Sequence, residues 1–151
     1  MELSKLIIGN RCRVLRSTTK TEALLELLDV VADEGAVEDI EGLKREIFYR
    51  EQIMSTGIGQ GIGIPHVRFH GIPEPIILVG TSPSGLADYE SLDGETVRLI
   101  FMILVDEDQH KEYLRILSLL VQRLKDAEFR NLLAGAETDE AVCAALKGSA
   151  E

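Results

Sequence analysis

Residues 55–66 read STGIGQGIGIPH, and the rest of the chain is organised around them. Glycine occupies every second position from 57 to 63, and the run closes on Pro65 and His66. Glycines in this spacing let the backbone approach a neighbour closely and adopt φ values that side chains forbid. Proline restricts its own φ and keeps the preceding residue extended. We therefore expect the stretch to present the His66 imidazole from a stiff loop or strand end.

Spacing excludes two other uses of these glycines. A dinucleotide-binding turn requires G-x-G-x-x-G, whereas this run is G-x-G-x-G-x-G. A phosphate-binding loop requires a following Gly-Lys-Ser/Thr, which the chain does not have there. A reactive histidine fits, because imidazole titrates near neutrality and can be both nucleophile and leaving group. The alternative is a glycine-rich turn that a histidine happens to follow.

The composition predicts a single domain over residues 1–151 with an ordinary hydrophobic core. Hydrophobic residues make up 45% of the chain and charged residues 28%. The net charge of −10 argues against nucleic acid as a partner. It favours either a basic partner protein or simply a well-solvated surface.

Cysteine spacing and hydropathy indicate a cytoplasmic protein without direct membrane insertion. Cys12 and Cys143 form no metal-ligand or CxxC pattern, so we expect reduced thiols. The N-terminus has no signal-peptide core, and the apolar run at 99–105 is too short to span a bilayer. His66 and His70 are four residues apart, but Gly71 and the prolines beyond it argue against a helix. We expect neither a metal site nor a cofactor.

Apolar patterns predict strands interleaved with helices, which is typical of α/β layering. Thr19 and Glu22 form a capping box that opens a helix ending near Gly35. The strand at 97–105 is apolar at nearly every position, which is typical of the centre of a sheet covered on both faces. The other expected segments are a strand at 11–15, a helix at 37–54, a loop at 67–75, a strand at 76–80, turns at 81–94 and helices at 109–125, 127–133 and 138–146.

Two of these helices carry apolar stripes that we expect to be buried. In the helix at 37–54 the stripe consists of Ile40, Leu43, Ile47 and Met54. In the helix at 109–125 it consists of Leu114, Leu117, Leu120, Val121 and Leu124, with His110 and Tyr113 at its N-terminal end. The polar face that ends in Arg45, Glu46, Arg50 and Glu51 is expected to be solvated.

A catalytic histidine needs a group that orients it and a group that holds the incoming charge. Arg50 ends the helix that feeds the glycine run, and a guanidinium matches the geometry of phosphoryl oxygens. His110 lies near a helix N-terminus after the central strand, a common position for an anion site. Alternatively, Arg50 is an ordinary surface arginine beside Glu51, and His110 is a half-buried histidine at a helix start. Backbone N–H groups of the glycine run would add donors.

The block from Arg50-Glu51 through Ser55-Thr56-Gly57 to Ile64-Pro65-His66 resembles a known signature. It is similar to that of the IIA domains of the bacterial phosphoenolpyruvate:sugar phosphotransferase system. The type is fructose/mannitol, which includes the nitrogen-regulatory branch. The resemblance covers nearly the whole chain, and it implies a mixed central β-sheet flanked by helices.

The resemblance also implies a function. His66 would accept a phosphoryl group from the carrier HPr or its nitrogen-branch paralogue, and then pass it to a IIB protein or keep it as a regulatory mark. Arg50 would steady the phosphoryl oxygens, and Thr56, Gly61 and Tyr113 would support the bound group. Because no IIB or membrane domain is recognisable, we expect the chain to act by visiting partner proteins. A regulatory IIA protein and a non-catalytic binding module on the same fold are the alternatives.

One position departs from the family pattern. Much of the family has a second histidine immediately before the Leu-x-x-Leu of the long helix, where this chain has Tyr113. His110 lies three residues earlier, about one turn back on the same face. Either His110 or the Tyr113 hydroxyl would take over the supporting role, or the site would transfer phosphate poorly and act as a switch.

Overall fold

The computed structural model describes residues 3–148. Their centre is a mixed six-stranded sheet in the order β1-β5-β6-β3-β2, with β4 also paired to β6. Strand β6 runs antiparallel to β5 and parallel to β3 and β4. The strands are β1 Cys12–Val14, β2 Gly57–Gly59, β3 Ile62–Gly63, β4 His66–Arg68, β5 Ile76–Leu86 and β6 Val97–Val105.

Helices cover both faces of this sheet. They are α1 Lys20–Glu34, α2 Ile40–Ile53, α3 His110–Leu124, α4 Ala127–Ala134 and α5 Asp139–Leu146. Alternate residues of β6 enter two separate cores: Ile100 packs with α1 and α2, whereas Phe101 packs with α3, α4 and α5. Every β6 residue except Arg98 is buried. The predicted α/β fold, with its two-sided central strand, is therefore confirmed.

The predicted helix signals mark real boundaries. The Thr19 side chain accepts a hydrogen bond from the Glu22 amide at the start of α1, and Gly35 ends that helix with φ of 66°. Thr138 caps α5 in the same way, through the Ala141 amide. The helix predicted at 37–54 is shorter, because Asp39 caps it through the Gly42 amide and α2 starts at Ile40. Such caps satisfy N–H groups that a helix start leaves unpaired.

Three residues predicted to be buried are exposed. Met54 is 74% exposed, because α2 ends at Ile53 and Met54 is already extended. Leu114 and Val121 are 48% and 36% exposed. The buried line of α3 is Ile116, Leu120 and Leu124, so the helix is rotated relative to the predicted stripe. Leu114 and Val121 flank that line instead of forming it.

Two predicted loops contain strand residues. The predicted turn region at 81–94 begins with the second half of β5, which continues to Leu86. Pro83 and Gly85 are tolerated there because the register against β6 shifts between Thr81 and Leu86. The predicted loop at 67–75 begins with Val67 and Arg68, which belong to β4 and pair with β6. Among residues 3–148, no helix combines the length and the apolar character needed to cross a membrane.

Candidate active site

The glycine run forms a β-hairpin, β2 and β3, with a tight turn at Gln60. Gly59, Gln60 and Gly61 all have positive φ, at 102°, 58° and 79°. The two glycines make this turn possible, since other side chains disfavour such angles. The Asp93 carboxylate accepts a hydrogen bond of 2.8 Å from the Gln60 amide and holds the turn. That bond is the first cause of the lowered pKa of Asp93.

The other two glycines allow close contact with the segment at 89–91. A Cβ on Gly63 would lie 2.6 Å from Cζ of Tyr89, so the ring occupies the space of the missing side chain. A Cβ on Gly57 would collide with the Glu90 carbonyl oxygen. The alternating pattern therefore serves two needs, a turn of positive φ and a tightly packed neighbour.

His66 begins β4, directly after the hairpin. It pairs with Ile103 of the buried strand β6, and the Ile103 amide donates to the Pro65 carbonyl at 2.9 Å. Nδ1 of the His66 ring is 2.9 Å from the Ile64 carbonyl oxygen. A carbonyl only accepts, so in this hydrogen bond Nδ1 carries the proton. The neutral ring then has its free lone pair on Nε2.

Tyr113 of α3 stacks on the His66 ring. The two ring centroids are 4.9 Å apart, and the planes are inclined by 21°. Tyr113 is half-buried, and burial raises the pKa of its phenol, which is therefore neutral at physiological pH. The stack fixes the imidazole on one face while the Ile64 carbonyl fixes it at one edge.

A cavity of about 610 Å³ lies in front of the imidazole. Arg50, Thr56, His66 and Tyr113 all line it. The structure therefore brings four of the six predicted site residues together. Arg50 is nearly half exposed, and its Nε donates to Glu46 at 3.1 Å. Its two terminal nitrogens are not used by that bond, so they can bind an anion in the cavity.

Large exposed apolar side chains surround this cavity, and we call them the apolar rim. Leu92 is 86% exposed and Ile53 66% exposed. The residues of the apolar rim are Ile53, Met54, Ile58, Leu92 and Val121. Exposed apolar side chains gathered in one patch mark an interaction surface more often than isolated ones do.

The structure does not bring the other two predicted residues, His110 and Gly61, to the cavity wall. His110 is exposed at the start of α3, and its ring centroid is 6.2 Å from that of Tyr113. Gly61 lies in the hairpin turn, where its carbonyl oxygen accepts from the amides of Arg98 and Leu99. Tyr113, and not His110, is thus the aromatic residue of α3 in contact with His66.

Sequence reasoning missed a buried polar cluster next to the cavity. Glu51, expected on a solvated face, is only 8% exposed and forms an ion pair of 2.9 Å with Lys20. Tyr89 is also buried, and its hydroxyl lies 2.6 Å from Oγ1 of Thr56. Only the position of Glu51 beside Arg50 in the signature block hinted at this cluster. Across residues 3–148, no group of three or more His, Cys, Asp or Glu side chains could hold a metal ion.

Comparison with known proteins places this chain in a family. The family described as "Phosphoenolpyruvate-dependent sugar phosphotransferase system, EIIA 2" matches residues 10–149. This chain belongs to that family. It is 35% identical over 143 residues to the fructose-specific EIIABC component of Bacillus subtilis. The match covers 94% of this chain but 22% of that protein, so the chain corresponds to a fraction of this relative's length.

Relatives of this IIA chain also include regulatory proteins. It is 35% identical over 124 residues to the nitrogen regulatory protein of Pseudomonas aeruginosa, covering 82% of this chain and 80% of that one. Its fold matches the crystal structure of the nitrogen regulatory protein IIA-Ntr from Neisseria meningitidis. That match has a TM-score of 0.83 at 26% identity and covers 95% of this chain and 97% of the other. The family assignment confirms the resemblance carried by the glycine run and identifies the chain as a component of the phosphotransferase system.

Proposed function

We propose that this IIA chain is a phosphocarrier that accepts a phosphoryl group on Nε2 of His66 and passes it to a IIB partner. The donor is the phosphohistidine of HPr or of its nitrogen-branch paralogue. The observation that carries the proposal is the bond between Nδ1 of His66 and the Ile64 carbonyl, beside a cavity that Arg50 also lines. The bond leaves a neutral imidazole whose Nε2 is free to attack. Arg50 supplies a cation for the arriving phosphoryl group.

The transfer requires no external acid or base. The Nε2 lone pair attacks phosphorus, the P–Nε2 bond forms, and the P–N bond to the donor ring breaks. The donor ring leaves as neutral imidazole and keeps the proton on its other nitrogen. His66 keeps its proton on Nδ1 and becomes a positively charged phosphohistidine, which is again a good leaving group. A loose transition state of this kind depends on positioning and charge stabilisation more than on covalent assistance.

The remaining residues of the cavity support this step. The Arg50 fork would hold two phosphoryl oxygens, and Thr56 would donate to a third. The apolar rim would exclude water while a protein donor or acceptor is docked, and desolvation strengthens the interaction of the guanidinium with phosphate. The two free thiols, Cys12 and Cys143, are consistent with a location in the reducing cytoplasm.

A second candidate function is regulation by the same modification. The chain is as similar to a nitrogen regulatory protein as to a fructose-specific component, at 35% identity each. A phosphoryl group adds about −1.5 to −2 charges. Because the apolar rim surrounds the acceptor, that charge would change which partner docks there.

Labelling with radioactive phosphoenolpyruvate, the first enzyme of the pathway and HPr tests the proposal. We expect acid-labile label on the wild-type chain and none on His66→Ala. His70→Ala is the matched control, since this exposed histidine interacts with Glu107 and does not line the cavity; it should label like the wild type. Equal labelling of His66→Ala and the wild type would refute the proposal.

Adding a IIB protein to the labelled chain separates the two functions. Rapid loss of label to IIB supports transport. Stable label together with phosphorylation-dependent recovery of a different partner supports regulation.

A further inference from the structure

The buried polar cluster behind the cavity consists of Lys20, Glu51, Thr56 and Tyr89. Its residues come from α1, α2, the hairpin entry and the segment before β6. The Glu51 carboxylate pairs with Lys20 at 2.9 Å and accepts from the Thr56 amide at 3.3 Å. The Lys20 ammonium also lies 4.3 Å from the centroid of the Tyr89 ring. The buried Glu51 carboxylate is thus compensated by a partly buried ammonium.

This cluster holds the backbone on which His66 depends. The Thr56 amide donates to the Glu51 carboxylate, and the Thr56 carbonyl accepts from the Ile64 amide at 3.0 Å. The Ile64 carbonyl in turn accepts from Nδ1 of His66. Glu51 is therefore connected to the reactive ring through two backbone segments and three hydrogen bonds. Ser55 adds a further anchor, since its hydroxyl donates to the Glu90 carbonyl at 2.7 Å.

The hydroxyl pair of Thr56 and Tyr89 has a preferred proton arrangement. Thr56 is the hydrogen-bond partner that residues 3–148 provide for the buried Tyr89 hydroxyl, at 2.6 Å. If Thr56 donated, the phenol proton would be left buried and unpaired, which is unfavourable. Tyr89 therefore donates to Oγ1 of Thr56. The hydroxyl proton of Thr56 is then free, on a side chain that lines the same cavity as Arg50 and His66.

We propose that Tyr89 is a positioning residue that fixes the Thr56 hydroxyl as a donor to the phosphoryl group on His66. Lys20 and Glu51 hold the backbone of Thr56 at the required place. Tyr89 acts only through Thr56, because the ring is buried behind the hairpin and does not line the cavity. The inference rests on the proposed phosphorylation of His66, and it adds to that site the residue that aims the Thr56 hydroxyl.

The test uses Thr56→Val, Thr56→Ser, Tyr89→Phe and the Thr56→Val/Tyr89→Phe double variant. The first readout is the initial rate of phosphotransfer from phospho-HPr. A hydrogen bond to a charged group contributes about 1.5–3 kcal/mol, so Thr56→Val should slow transfer about 10- to 100-fold. Tyr89→Phe should slow it about 3- to 10-fold, since Thr56 keeps its hydroxyl but loses its fixed orientation. Thr56→Ser should restore most of the rate.

The double variant distinguishes positioning from independent packing effects. If Tyr89 acts through Thr56, the double variant should be no slower than Thr56→Val alone, because the effects of coupled residues do not add. Multiplied losses would overturn the proposal. So would a Thr56→Val rate within about twofold of the wild type.

The second readout does not depend on any carrier protein. His66 is phosphorylated chemically with phosphoramidate, and the phosphoryl group is titrated by ³¹P NMR. The same treatment of His66→Ala identifies the His66 resonance. A donor to the phosphoryl oxygens favours the dianion, so Thr56→Val and Tyr89→Phe should both raise the phosphoryl pKa. An unchanged pKa in both variants would overturn the inference. If HPr fails to label the wild type while the phosphoryl pKa still shifts in both variants, then HPr is not the phosphoryl donor, and the positioning role of Tyr89 stands.

Discussion

The rings of His66 and Tyr113 lie nearly parallel with their centroids 4.9 Å apart. The site therefore supports its imidazole with a stacked neutral phenol. The supporting contact has no proton to exchange near neutral pH, because burial raises the pKa of Tyr113 from an already high value.

Removal of the stack should slow transfer without abolishing it. An aromatic pair contributes about 0.5–1.5 kcal/mol, so Tyr113→Ala should reduce the initial labelling rate about 2- to 10-fold. Tyr113→Phe keeps the ring and should stay near the wild-type rate. His110→Ala is the matched control on the same helix. A larger loss in His110→Ala than in Tyr113→Ala would move the supporting role to His110.

Loss of the Arg50 guanidinium should affect the chemical step most. Arg50→Ala removes the cation that lines the cavity beside His66, and we expect a decrease of about 100-fold in the transfer rate. Arg50→Lys should recover only part of it, because an ammonium lacks the planar fork. The rates of both variants are measured by single-turnover transfer from phospho-HPr. Arg45→Ala, at an exposed position of the same helix, is the control, and an equal loss there would point to a general charge effect.

The apolar rim should contribute to partner affinity and not to the stability of the fold. Leu92 is 86% exposed, so Leu92→Ser should leave Tm unchanged. It should raise the KM for the protein donor several-fold, with a maximal rate close to the wild type, because a docking residue acts before chemistry. Leu132→Ser, which is 47% exposed on α4 and does not line the cavity, should change neither constant. A wild-type KM in Leu92→Ser would remove the rim from the docking surface.

Acid should weaken the hairpin through Asp93. The amides of Gln60 and Glu95 and the Ser91 hydroxyl bond this carboxylate, and they lower its pKa below the ordinary value of 3.8. A lowered folded-state pKa means that the stabilisation is present above the ordinary value and is lost as pH falls through the folded one. Asp93→Asn should therefore lower Tm at pH 7, and the gap to the wild type should narrow below about pH 4. Thermal denaturation across that pH range measures the difference in Tm. A difference that does not change with pH would contradict the stabilising role of the Asp93 carboxylate.

The strongest local patterns predicted their elements well. Strand 97–105 and the caps at Thr19 and Thr138 depend on neighbouring residues, so the sequence contains the information directly. The position of His66 after a glycine run and proline also predicted that it lies at a strand end, and it begins β4. Contacts between residues far apart in the chain were harder to predict from the sequence. The rotation of α3 that exposes Leu114 depends on how three helices share one face of the sheet.

The buried polar cluster at the site could not be predicted from the sequence for the same reason. Lys20 lies 35 positions before Ser55, and Tyr89 lies 33 positions after Thr56. Neither the spacing nor the residue type marks them as neighbours of the hairpin entry. Glu51 is next to Arg50, yet one side chain is buried and the other half exposed. Only the path of the chain determines which of the two adjacent charges faces the interior.

The attachment of His66 to β6 has a consequence for the denatured protein. The imidazole belongs to a strand whose neighbour is fully buried at Ile103 and Leu104. We expect such a core segment to be among the last to open as urea rises. Opening of a terminal helix leaves that pairing intact. Competence for labelling should consequently survive local melting and vanish only with the cooperative collapse of the whole sheet.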